Sequence, residues 1–289
     1  FDWGRASLRT GLRYDYDGFS DESLLSPRIA FNYEFSPSLR FSATTGVFYE
    51  SPRNLARALD PANFDLKNEK LTHVGAGLDF RIGENLNLLV DAYSQRIDRR
   101  LVEGSRVTGE ISNDGKGSNR GVDLVFTRAF ANGFAADFVY SWNQYRVDDN
   151  DGRGEYDWDF NRVHFAALGG RWELNERWQI AARWRYGSGQ PGERFITHDD
   201  VLAPDLPVRF SQEITETNVG RGDAFNALDF RVDYRRPIGR LDLVLFVDVL
   251  NLNGGSAGLP DEFDILTGQT IKEDEETLPL IGLTFEYSW

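Results

Sequence analysis

PLIGLTFEYSW, residues 279–289, decides the fold. Ile281, Leu283, Phe285, Tyr287 and Trp289 fall on one side of an extended chain. Leu280, Gly282, Thr284, Glu286 and Ser288 fall on the other. In a strand successive side chains point to opposite faces, so one face here is uniformly apolar and the other mixed. That is the pattern of a strand standing between lipid and a wet interior, and the segment ends on an aromatic residue.

The alternation repeats upstream. Leu241, Leu243, Leu245, Val247 and Val249 oppose Asp242 and Asp248, while Leu228, Phe230, Val232 and Tyr234 alternate with Asp229, Arg231, Asp233 and Arg235. Charges at every second position are costly in hydrocarbon but harmless in a water-filled lumen. Trp178, Ile180, Ala182, Trp184 and Tyr186 oppose Gln179, Arg183 and Arg185. Phe134, Ala136, Phe138, Tyr140 and Trp142 oppose Asp137, Ser141 and Asn143. Val74, Ala76, Leu78, Phe80 and Ile82 oppose His73, Asp79 and Arg81, and Ile29, Phe31, Tyr33 and Phe35 oppose Arg28, Asn32 and Glu34. Residues 163–173 alternate poorly, and their faces stay unassigned.

Connections alternate too. Tight turns are expected at Ser36-Pro37-Ser38, Gly83-Glu84-Asn85, Ala131-Asn132-Gly133, Asn175-Glu176 and Pro237-Ile238-Gly239, where Gly, Asn and Pro suit the required backbone angles. Longer polar stretches are expected at residues 17–25, 50–69, 103–116, 148–157, 188–223 and 253–276. Short turns on one side and long loops on the other describe an outer-membrane barrel, with turns and C-terminus periplasmic and loops extracellular. The count is about twelve strands, which at roughly 10 residues each leave more than half the chain in loops and strand extensions.

Composition agrees. The mean hydropathy is negative, and no uncharged apolar run approaches the roughly 18–20 residues of a spanning helix. Aromatic residues make up 13% of the chain, as interfacial girdles require. The net charge of -14 argues against nucleic-acid binding, which needs clustered Lys and Arg. With no cysteine, disulfides, thiol catalysis and Cys-based metal sites are excluded. The chain starts at Phe1 without a signal peptide, so it reads as a mature or partial product.

Three segments carry a resemblance to the TonB-dependent receptors. FNALDFRVDYRRPIGRLDLVLFVDVLNLN (225–253) resembles the family's penultimate hairpin with its DVLNL ending. WDFNRVHFAALGGRWELNERWQIAARWRYGSGQP (158–191) is similar to its Asp-x-x-x-x-His strand, turn and RYGSGxP exit. LKNEKLTHVGAGLDF (66–80) resembles a segment that usually reads LKPEKxxxYExGLE, with Asn68 in place of proline and His73 in place of an aromatic. The resemblance implies an all-β, antiparallel transmembrane β-barrel of about 22 strands with a plug domain. This chain would supply roughly the last twelve strands as a single barrel segment over 1–289, without plug or TonB box. It further implies import of a nutrient (an iron chelate, cobalamin, saccharide or peptide) driven through TonB, ExbB and ExbD via an N-terminal region not in this chain. The expected surroundings are Gram-negative outer-membrane lipid and lipopolysaccharide, and other outer-membrane subunits are possible partners. A closed twelve-stranded channel or translocator, and a structural barrel in a surface complex, stay open beside it.

Candidate sites follow from the faces. Arg183, Arg185, Asp229, Arg231, Asp233, Asp242 and Asp248 would line the lumen toward a ligand or plug, or serve only as the polar wall any wet lumen needs. Tyr156, Trp158 and Phe195 in the long loops are candidates for ligand contact. No metal site is expected: His73, His164 and His198 are not spaced as ligands, and DDNDGRGEYDWD (148–159) fails the EF-hand register. No nucleophile elbow is present, Gly187-Ser188-Gly189 reads as a flexible hinge, and no enzymatic activity or cofactor is expected.

Overall fold

The computed structural model describes residues 1–53, 56–57, 60–83, 85–103, 110–152, 154–200, 209–256, 262–271 and 276–287. Glu84, Arg153, Ser288 and Trp289, the aromatic end included, lie outside the described residues. The chain divides into two compact units, Phe1–Leu124 with Trp142–Trp158, and Val125–Ser141 with Asp159–Trp289. Among the described residues no helix is long and apolar enough to cross a membrane.

In the first unit, β1 (Asp2–Trp3), β2 (Ala6–Asp17), β3 (Glu22–Ser36), β4 (Leu39–Glu50), β5 (Glu69–Ile82) and β6 (Leu86–Glu103) each pair antiparallel with the next. β7 (Ile111–Ala129) and β8 (Phe134–Asp148) contribute residues to both units, and β9 (Tyr156–Asp157) pairs with β8. The register lines up one apolar row from Tyr33 to Phe41, Leu78 and Val90, and another from Phe31 to Ala43, Ala76 and Ala92. One residue along, Asn32, Ser42, Gly77 and Asp91 form a small and polar row. A shift by one would exchange the faces, so this pairing fixes which side is apolar.

The second unit is built on β10 (His164–Glu173), β11 (Trp178–Gly187), β14 (Phe225–Ile238), β15 (Leu241–Leu250) and β18 (Leu278–Tyr287), each antiparallel to its neighbour. Ile180, Val232, Val247 and Ile281 lie in register, as do Tyr234, Leu245 and Leu283. Ile281 is 85% exposed, and Leu245, Val247, Leu283 and Phe285 are exposed beside it. A contiguous exposed apolar surface of this kind is rare in a molecule surrounded by water and ordinary for one surrounded by lipid. Val244, Ala227 and Ala167, which are buried, lie instead on the face that carries the charges.

Pairing also settles what alternation left open. Ala166, Leu168, Gly170 and Trp172 oppose Tyr186, Trp184, Ala182 and Ile180, so they join the apolar face. Phe165, Ala167, Gly169 and Arg171 join the other. The glycines and alanines between them blur the signal in sequence.

Besides the hairpin within residues 188–223, twelve long strands are present among the described residues, as expected, with two departures in the loops. Residues 17–25 are not a long loop: β2 and β3 run on until only residues 18–21 connect them, because the register carries Asp15 and Asp17 opposite Leu24 and Glu22. Residues 188–223 are largely a hairpin, β12 (Pro191–Asp200) with β13 (Arg209–Arg221), carrying Arg194–Glu216 at 2.7 Å and His198–Glu213 at 3.0 Å. Polar cross-strand pairs leave no apolar period to read. A smaller hairpin, β16 (Glu262–Phe263) with β17 (Thr270–Ile271), lies within 253–276. In its turn the Thr267 hydroxyl and the Leu266 N–H hold the Asp264 carboxyl below the usual carboxylate range.

Two expectations follow. In a lipid bilayer Leu283→Arg should destabilise the protein by about 2–4 kcal/mol, as a charge on the lipid face does. Thr284→Arg on the opposite face should change stability by less than about 1 kcal/mol; urea unfolding in bilayers measures both. Gly282 lies under the Phe246 ring, with which a Cβ would collide. Gly282→Ala should therefore cost about 1–3 kcal/mol, and Phe246→Leu in the same molecule should restore part of it.

Candidate functional site

On the charged face of the second unit the strands place Arg and Asp directly opposite one another: Arg183 across from Asp229, and Arg231 across from Asp248. The ion pairs follow this lattice. Arg185 Nη2 donates to Asp229 Oδ2 at 2.7 Å, and Asp229 also accepts from the Asn251 backbone N–H at 3.0 Å. Arg231 bonds Asp233 at 2.8 Å and approaches Asp248 at 3.6 Å. Arg235 reaches Asp242 at 3.7 Å and Glu286 at 2.9 Å, and Arg183 reaches Asp137 at 3.5 Å. The Arg231 guanidinium also lies 4.1 Å from the centre of the Phe246 ring, so this aromatic residue stays on the polar face with a cation over it. Half-exposed pairs such as these contribute roughly 0–1 kcal/mol each. Their larger effect is to fix where the charges stand. A groove of about 470 Å³ at the Asn175–Glu176 turn is lined by Arg177, Gln179, Arg231, Asp233, Arg235 and Glu286.

All seven charged candidates thus lie on one face, each in an ion pair: Arg185 with Asp229, Arg231 with Asp233 and Asp248, Arg183 with Asp137, and Asp242 with Arg235. Phe195 lies apart from them on the β12–β13 hairpin and is exposed. Tyr156 and Trp158 belong to the first unit. There the Trp158 ring packs 4.9 Å from the Tyr145 ring, the Trp158 backbone N–H donates to the Tyr145 carbonyl at 3.0 Å, and the Tyr156 hydroxyl donates to Asp149.

The first unit's polar face holds a network of residues that the sequence did not offer as ligand-contact candidates. Thr44, His73, Gln95, Asn119, Asn143 and Tyr93 form a chain of side-chain hydrogen bonds across β4 to β8, at 2.7–3.3 Å. Gly115, Gly117 and Gly121 of β7 lie beneath their neighbours' side chains: a Cβ at Gly121 would come within 2.5 Å of the Tyr93 hydroxyl, and one at Gly117 within 3.3 Å of Tyr145. Near the loops, Asn68 is 1% exposed. Its amide donates to Asp17 (2.8 Å), Ser20 (3.3 Å) and Glu22 (3.1 Å), and its backbone N–H donates to Glu22 at 2.9 Å. A proline, usual at this position in the resembled motif, has no N–H to donate. The short 3₁₀ helix Pro61–Asp65, capped by the Asp60 side chain, leads into this segment.

The other motif residues are structural. Asn251 adopts φ 51° and closes the end of β15 through both sides of its amide onto Gly255. Gly187-Ser188-Gly189, expected as a flexible hinge, is instead stitched at the strand exit. Ser188 bonds His164 through its N–H (2.8 Å) and hydroxyl oxygen (3.1 Å), and Arg162 and Arg221 donate to the Ser188 and Gly189 carbonyls. Among the described residues no group of His, Asp and Glu is gathered as a metal site would be.

The fold has counterparts among known proteins. The outer-membrane transporter YddB from Escherichia coli superposes with a TM-score of 0.69 at 17% identity, over 98% of this chain and 43% of that one. The ferric citrate transporter FecA in its unliganded form gives 0.70 at 14% identity, over 99% and 43%. The ferric enterobactin receptor PfeA from Pseudomonas aeruginosa gives 0.64 at 16%, over 98% and 42%. The chain therefore spans less than half the length of these structures. No curated protein matches the sequence. The family model described as "TonB dependent receptor-like, beta-barrel" matches residues 1–252. The chain belongs to the TonB-dependent receptor β-barrel family.

Proposed function

We propose that this chain is the C-terminal barrel portion of an outer-membrane receptor that imports a scarce nutrient, energised through TonB, ExbB and ExbD. The observation that carries this reading is the ion-paired charged face of β11, β14 and β15 set directly behind an exposed apolar one. Family membership and the fold of transporters for ferric citrate and other solutes support it. In this reading the protein is a single barrel segment. The apolar face meets outer-membrane lipid and lipopolysaccharide, the short turns and C-terminus lie in the periplasm, and the long loops lie outside. Arg183, Arg185, Asp229, Arg231, Asp233, Asp242 and Asp248 would face a plug or the passing ligand, and Tyr156, Trp158 and Phe195 would touch ligand from the loops. In this reading the coupling to TonB runs through a plug-bearing region.

The test is uptake by cells with and without the gene, supplied in turn with trace ferric chelates, cobalamin, oligosaccharides and peptides. One solute should accumulate at nanomolar supply only when the gene is present, and a protonophore should abolish that accumulation. Arg185→Gln with Arg231→Gln should lower the rate several-fold while the folded protein is still recovered from outer membranes. Uptake that rises in proportion to concentration and ignores the protonophore would identify a passive channel instead.

A further inference from the structure

A cavity of about 530 Å³ lies on the first unit, bounded by the ends of β2, β3 and β4 and the segment that follows β4. Three arginines line it. Two are neutralised in place: Arg13 by Asp15 at 2.7 Å, and Arg57 by Asp17 at 3.1 Å. The third is not. Arg28 lies over the Phe48 ring, 4.5 Å from its centre, and has no ion pair or side-chain hydrogen bond among the described residues. Arg57 adds a second unmet demand. Its side chain is 6% exposed, and its Nε has no hydrogen-bond partner among the described residues. A buried donor left unpaired is unfavourable until an acceptor reaches it. Stacking against Phe48 holds one face of the Arg28 guanidinium, and its N–H fork is the natural partner of a planar or tetrahedral oxyanion. Phe19, which lies beneath Arg57 at 4.7 Å, and Tyr49 supply apolar wall beside these donors.

We propose that this cavity is a binding site for a small molecule carrying a carboxylate or phosphate, held by Arg28 with Arg57 as second donor and its body against the aromatic wall. The proposal rests on the polar face of this unit being wet, as in the transport reading, but it concerns binding rather than movement. Arg28 and Phe48 meet because register places Arg28 opposite Gly46, two residues from Phe48.

The experiment is calorimetric titration of the protein, purified from outer membranes in detergent, with citrate, inorganic phosphate and benzoate. Ionic strength is held constant with chloride. At least one probe should bind saturably, and Arg28→Gln should weaken that binding about tenfold or more, the scale of a lost charge-assisted pair. Arg40→Gln, whose partner is Asp79 outside the cavity, should leave it unchanged. Phe48→Leu, which removes the stacking partner but no charge, should weaken binding several-fold and serves if the Arg28 variant does not fold. Absence of saturation for all three probes up to 10 mM (roughly −2.7 kcal/mol) would overturn the proposal, as would affinity in the Arg28 and Phe48 variants that matches the unsubstituted protein's. If the probes bind while gene-dependent uptake is absent, the transport reading fails and this site stands. If uptake is present and no probe binds, the reverse holds.

Discussion

Hydrocarbon offers a backbone no hydrogen-bond partner, so any strand placed in it must satisfy its N–H and C=O groups on neighbouring strands. The rest of this structure follows from that constraint. Long antiparallel pairings satisfy the backbone in each unit, and the period of two then sends alternate side chains to opposite faces. One face must suit lipid, which explains Ile281, Leu283, Leu245 and Val247 standing exposed. The other face is free to carry charge, and does.

Once freed, that second face becomes the chemically informative one. In the second unit it is an alternating array of guanidinium and carboxylate groups, with aromatic Phe246 tolerated because a cation covers it and Gly282 makes room beneath it. In the first unit it is largely uncharged at mid-strand, a run of amide and hydroxyl groups over a glycine-bearing β7. Charged groups flank that run, Asp91 and the Arg40–Asp79 pair on one side and the surroundings of Asn68 and the arginine-lined cavity on the other.

Much of this was legible in the sequence because a period of two survives without knowledge of neighbours. Leu228 to Arg235 shows both faces residue by residue, and the pairing leaves each of those assignments in place. What was not legible depends on partners distant in sequence. The faces of residues 165–172 emerge only from their register with β11, since Gly169, Gly170, Ala166 and Ala167 suit either side. Asn68 looks like a simple departure from a proline-containing motif until its amide is seen to meet Asp17, Ser20 and Glu22. The β12–β13 hairpin is held by polar pairs, which no hydrophobic period announces. Gly121 and Gly282 are unremarkable letters whose importance lies in the rings above them.

The absence of native cysteine makes the central claim directly measurable. Single cysteines introduced along β15 and β18 can be spin-labelled in lipid vesicles and scored for collision with oxygen, which concentrates in lipid, and with a water-soluble nickel chelate. Labels at 243, 245, 247, 281, 283 and 285 should favour oxygen, and labels at 242, 248, 284 and 286 the chelate, alternating residue by residue. Labels at 245 and 283 shielded from both reagents, in a molecule that stays dissolved without detergent, would contradict the account.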